Sequence, residues 1–118
     1  TNTAALFVGG YVPPNAIADV EQWNGTSWTE VNNINTARYA MGTAGTTPSA
    51  LVFGGYPSPP GNTELWNGNN WSEVADLNTG RDGLAGAGNT SNALGFGGTN
   101  GNTEEWSGSS NVVETLTD

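Results

Sequence analysis

The chain has 118 residues and a net charge of −9, from eleven acids against two arginines, with no lysine, histidine or cysteine. One ordinary domain fits that length and a large multidomain enzyme does not, while the lack of cysteine removes disulfides, thiolate nucleophiles and thiolate metal sites. Two cations argue against a nucleic-acid groove and against attraction to an anionic membrane, and no apolar run nears the roughly 20 residues of a membrane span.

The predicted strands fall into three units, residues 1–37, 38–80 and 81–118. The first opens on A-L-F-V-G-G-Y from Ala5 and continues to E-Q-W at Trp23. It turns at Asn24-Gly25-Thr26-Ser27 and ends in W-T-E-V from Trp28. Asn-Gly takes positive φ readily and is the strongest short-range hairpin signal. The second unit begins R-Y-A-M-G-T-A-G at Arg38, then A-L-V-F-G-G-Y and E-L-W at Trp66. It turns at Asn67-Gly68-Asn69-Asn70 into W-S-E-V from Trp71. The third begins R-D-G-L-A-G-A-G at Arg81, then A-L-G-F-G-G and E-E-W at Trp106. Its last strand is degenerate, with Asn111-Val112 where a tryptophan is expected. No segment sustains a helical period, and the glycines would weaken one. The reading is eleven short antiparallel strands, with the innermost strand of the first unit missing.

Repetition decides the architecture. Trp23 and Trp66 are 43 residues apart, Arg38 and Arg81 are 43 apart, and Gly55 and Gly98 are 43 apart. Leu, Ile, Val and Phe total only twenty, a level typical of disorder, but five tryptophans, three tyrosines and this repeat specify a folded chain. Four antiparallel strands per roughly 43 residues is the format of a β-propeller blade. Small residues lie on the first strand of the second and third units, where blades converge, and the tryptophans lie on the outer strands, where wedges must be filled. A β-sandwich would accept such strands but would not require the period. Fewer than three complete blades do not close alone. The chain is therefore expected to belong to a longer array or to close a ring of copies, in preference to stacking as a filament. It begins at Thr1 with no recognisable signal peptide and reads as a processed or excerpted product.

The double glycines Gly9-Gly10, Gly54-Gly55 and Gly97-Gly98, the tryptophans Trp28 and Trp71, and the arginines Arg38 and Arg81 resemble kelch-type repeats of the galactose-oxidase-like propeller class. The units are shorter than the usual kelch repeat, and the G-H and W-D pairs of WD40 repeats are absent. The Asn/Thr/Gly-rich, lysine-free composition also resembles repeat arrays of phage or viral tail fibres and surface adhesins. That resemblance implies an extracellular or virion-surface location. The copper chemistry of some members of the class is not implied, because its histidine and cysteine ligands are missing.

With neither histidine, cysteine nor lysine, only carboxylates could serve catalysis. Glu21, Glu64 and Glu104, and Glu30, Glu73 and Glu114, recur once per unit, which separates equivalents rather than pairing them across one cleft. The chain is therefore read as non-enzymatic, without cofactor or metal. The stretch from Asp76 to Gly83 faintly resembles a calcium loop but reads as a plain turn. Arg38 and Arg81 are expected to bind backbone carbonyls or pair with Glu30 and Glu73. Asn24, Asn70 and Asn89 head N-x-S/T triplets and are candidate glycosylation sites.

The loops between the second and third strands vary most between units, and repeat proteins commonly work through such loops. They supply Tyr11, Asn15 and Asp19, then Tyr56 and Asn62, then Asn100 and Asn102 as candidate ligand contacts. Aromatic rings stack on apolar sugar faces while amides bind hydroxyls. The expected function is recognition of a glycan or surface protein, and the alternative is a self-assembling structural subunit. The expected partners are copies of itself or adjoining repeats, with no nucleic acid and no membrane insertion.

Overall fold

A computed structural model describes residues 2–57, 61–99, 101–108 and 111–112. Among these residues there are eleven strands and no helix, arranged as three antiparallel sheets that do not close into a ring. The first sheet has the order β1 (Ala5–Val12), β2 (Asn15–Trp23), β3 (Trp28–Val31). The second runs β4 (Gly42–Thr46), β5 (Ser49–Phe53), β6 (Thr63–Trp66), β7 (Trp71–Val74). The third runs β8 (Leu84–Gly88), β9 (Ala93–Gly97), β10 (Thr103–Trp106), β11 (Asn111–Val112).

Each sheet is a meander, because every connection within it is short enough to make an antiparallel hairpin. The outer turns share one device. The Asn24 side chain accepts the amides of Thr26 and Ser27 at 2.8 and 2.9 Å, and Asn67 accepts those of Asn69 and Asn70 at 2.9 and 2.8 Å. Register matches across the outer hairpins: Glu21 faces Glu30 and Trp23 faces Trp28 in the first sheet, as Glu64 faces Glu73 and Trp66 faces Trp71 in the second.

One expected loop is a strand. Residues 11–19 of the first unit continue the ladder, with Tyr11 opposite Ala16 and Val12 opposite Asn15 across a Pro13-Pro14 turn. The register shifts between Val8 and Gly10, where Gly9 and Gly10 have φ of +62° and +137°. This bulge re-aims the strand so that β-branched Val12 and Ile17 can pair beyond it. In the second sheet pairing stops at Phe53, and Gly54 donates to the carbonyl of Asn62 instead.

The core lies between sheets. β5 is buried on both faces: Ala50 and Val52 pack with Val20, Ile34 and Trp71 toward the first sheet. Leu51 and Phe53 pack with Leu77, Leu84 and Trp106 toward the third. A strand so placed has no need of polar alternation, which is why A-L-V-F is continuously apolar. Glycine lets the inner strands approach. A Cβ at Gly86 would collide with the Thr43 carbonyl and the Phe53 ring, and one at Gly95 would stand 2.8 Å from that ring.

Candidate binding face

The segments leading from one sheet to the next carry Arg38 and Arg81, and both are fully buried. The Arg38 backbone binds the first sheet: its amide donates to Ile17 O at 3.2 Å and its carbonyl accepts from Gly10 N at 3.0 Å. Its guanidinium binds the second sheet, donating to Gly54 O at 3.2 Å, Asn62 O at 2.7 Å and Glu64 Oε2 at 2.8 Å. Arg81 repeats the arrangement one unit later. Its carbonyl accepts from Gly55 N at 2.9 Å, and its guanidinium donates to the carbonyls of Gly97 and Asn102 and to Glu104 Oε2 at 2.9 Å. Each glutamate also accepts two amides of the same connection. Glu64 takes Asn35 and Thr36 at 2.6 and 3.4 Å, and Glu104 takes Asn78 and Thr79 at 2.7 and 3.3 Å.

The carbonyl contacts were expected, but the acidic partners are Glu64 and Glu104 rather than Glu30 and Glu73. The latter lie exposed on outer strands, while the arginine enters beneath the third strand of the following sheet. Burial pushes the Arg38 guanidinium below its ordinary pKa, and the Glu64 carboxylate opposes that shift. The Asp76 to Gly83 turn gives its Asn78 and Thr79 amides to Glu104.

The double glycines serve these junctions. A Cβ at Gly9 would lie 2.5 Å from Arg38 O, and one at Gly54 would lie 2.5 Å from Arg81 O. Beyond Gly55 the chain meets the connection again, and Tyr56 and Tyr39 exchange two backbone bonds of 2.9 Å. All three tyrosines of the chain meet there. Tyr11 and Tyr39 have ring centroids 4.8 Å apart, and Tyr39 and Tyr56 5.6 Å apart. Tyr11 and Tyr56 are 50% and 54% exposed, while Tyr39 is half-buried between them. The Tyr39 hydroxyl is raised above its ordinary pKa by desolvation, then by Tyr11, Tyr56 and Asp82.

The structure thus joins Tyr11 and Tyr56 through Tyr39, which sequence reasoning missed. Tyr39 has no periodic counterpart, since Asp82 follows the equivalent arginine. Asn15 is exposed beside the β1–β2 turn, and Asp19 is exposed on β2, where it accepts Asn33 Nδ2 at 3.4 Å. Asn62 does not belong to a displayed loop: it is 8% exposed and its carbonyl holds Arg38. Asn102 is half-buried with its carbonyl on Arg81. Asn100, Glu114 and the prolines at 59 and 60 lie outside the described residues.

Asn24, Asn70 and Asn89 are all exposed. Asn24 and Asn70 are not equivalents, because Asn67 makes the Asn24-type turn. Asn89 makes the same turn between β8 and β9, accepting the amides of Ser91 and Asn92 at 2.9 Å. Asn70 Oδ1 accepts Asn32 Nδ2 at 3.0 Å. The indoles of Trp66 and Trp106 donate to Thr47 O and Thr90 O at 2.9 Å. Trp23 donates to Asn2 O at 3.1 Å. The space lined by Leu51, Phe53, Leu77 and Glu104 is about 10 Å³, room for about one water. No known family model matches the chain, and no curated protein matches it.

Proposed function

We propose that the chain is a non-enzymatic recognition module of an extracellular or virion surface, binding carbohydrate on the Tyr11, Tyr39 and Tyr56 platform. The observation that carries this reading is the convergence of those rings, two of them half exposed, at the junction of the first two sheets. A neutral phenol ring offers a flat apolar face to sugar C–H groups and a hydroxyl to their oxygens. Asn15 and Asp19 lie on the same β1–β2 hairpin as Tyr11 but alternate to its other face, so they stand outside this platform. The sheets themselves are read as blades of a kelch-like propeller array. That reading rests on four-stranded meanders with double glycines, inner strands of small residues and an arginine at each junction.

The test is calorimetric titration of the intact chain with a panel of neutral and acidic oligosaccharides. Tyr11→Ala and Tyr56→Ala should each weaken binding about tenfold, on the scale of a lost stacking contact, with the circular dichroism unchanged. No binding to any sugar, or binding indifferent to both substitutions, would remove the site.

A further inference from the structure

The first sheet presents the same face that the second and third sheets bury. By ladder register, Phe7, Glu21 and Trp28 correspond to Val52, Glu64 and Trp71. Val52, Glu64 and Trp71 are 1%, 1% and 7% exposed, whereas Phe7 and Trp28 are 57% and 49% exposed and Glu21 is exposed as well. Trp71 donates to Asn32 O of the preceding connection at 3.1 Å. Glu64 and Glu104 each hold the same three donors, two consecutive amides and an arginine. Glu21 has the register and the tryptophan two residues on, but no such partner among the described residues.

A second feature lies beside it. No strand pairs with the far edge of β1 among the described residues. That edge borders a groove of about 500 Å³, lined by Ala5, Leu6 and Val8 on one side and Thr43 and Ala44 of β4 on the other. In the two complete sheets, this position beside the second strand is held by the strand that follows the arginine, β4 or β8.

We infer that this face is a docking surface for an arginine-led repeat segment, Asn-Thr-x-Arg followed by a strand of small residues. Its guanidinium and two amides bind Glu21, and its strand adds to the edge of β1. Two junctions of this kind already exist within the molecule, so the recognition chemistry is built from contacts it makes twice. Charge complementarity selects the occupant. The open face offers Glu21 and, at the register of Asn62, Asp19, to a cationic segment. A second copy of this chain cannot supply one: Arg38 and Arg81 are its only cations, and both are buried in their own pairs. Two copies at −9 each also repel. The inference is independent of the tyrosine platform.

The experiment adds a synthetic peptide with the sequence of residues 33–47, which carries the motif, to the intact chain. Binding is followed by anisotropy, and residue-level amide exchange locates it. Saturable binding with new protection at residues 5–8 is expected. Glu21→Gln in the chain, or Arg→Gln in the peptide, should weaken binding at least about thirtyfold, the scale of truncating one partner of a buried charge pair. The two changes together should add little to either alone. Glu21 is exposed, so its variant keeps the fold. Absence of binding, binding unchanged by Glu21→Gln, or protection only at β4 through exchange of its own strand would overturn the inference. So would self-association of the chain alone that covers residues 5–8 and ignores Glu21→Gln.

Discussion

Arg38 is a junction made by one side chain. Its backbone belongs to the ladder of the first sheet and its guanidinium to the second, so removing it loosens both. Arg38→Met leaves the Glu64 carboxylate buried without its cation. The expected cost is about 3–5 kcal/mol, read as a lower urea midpoint at unchanged slope. Adding Glu64→Leu should recover part of that loss, because the stranded charge is gone; further loss instead would mean that Glu64 acts mainly as the cap of Asn35 and Thr36. The arginine's structural role was legible from its repetition, but its partner was not. Which glutamate it meets depends on the connection passing beneath the next sheet, and linear spacing does not encode that. Tyr39 makes a different prediction. Its folded pKa is raised above 10.0, so its neutral form is favoured by folding. That contribution is complete below the unfolded pKa and is lost as pH rises through the folded one. Stability should therefore fall on the alkaline side of pH 10, and Tyr39→Phe should lessen the fall in a denaturation series across that range.

Strands and turns were largely legible because they depend on local chemistry. Asn-Gly turns placed the outer hairpins of the first two sheets, and short apolar runs and tryptophans at fixed offsets placed the remaining strands; the Asn89 turn between β8 and β9 was seen only in the structure. Residues 11–19 were not, since Pro13-Pro14 and a sequence that differs from the other two units read as a loop. Here Gly9 and Gly10 supply a bulge, and Tyr11, Val12 and Ile17 pair beyond it. Asn62 was counted among the variable loop residues between the second and third strands, yet its carbonyl is a ligand of buried Arg38. At this scale the inner strands carry the sharpest test. Gly86 has backbone φ that any residue adopts but no room for a Cβ. Gly86→Val should therefore cost about 1–3 kcal/mol through overpacking, despite the higher strand propensity of valine, with a lower thermal midpoint as the readout. An unchanged or higher midpoint would show that β4 and β8 can separate freely.

At the scale of the whole molecule, three meanders share two cores, and β5 of the second sheet is buried between them on both faces. The radius of gyration, 13.5 Å, is that of a compact chain of this length, about 13 Å. The period of 43 residues made the units legible, but periodicity alone could not reveal that three unrelated-looking tyrosines converge at one junction. Both the platform and the open face of the first sheet follow from the same arrangement, in which each arginine-bearing connection ties one sheet to the next. The most direct measurement is residue-level amide exchange of the intact chain at the amides that cross between units, those of Gly10, Arg38, Gly55 and Gly83. They should exchange as slowly as Leu51 and Val52 in the centre of β5. Rapid exchange at all four, with protection confined to the hairpin ladders, would mean three separate sheets and would contradict the account.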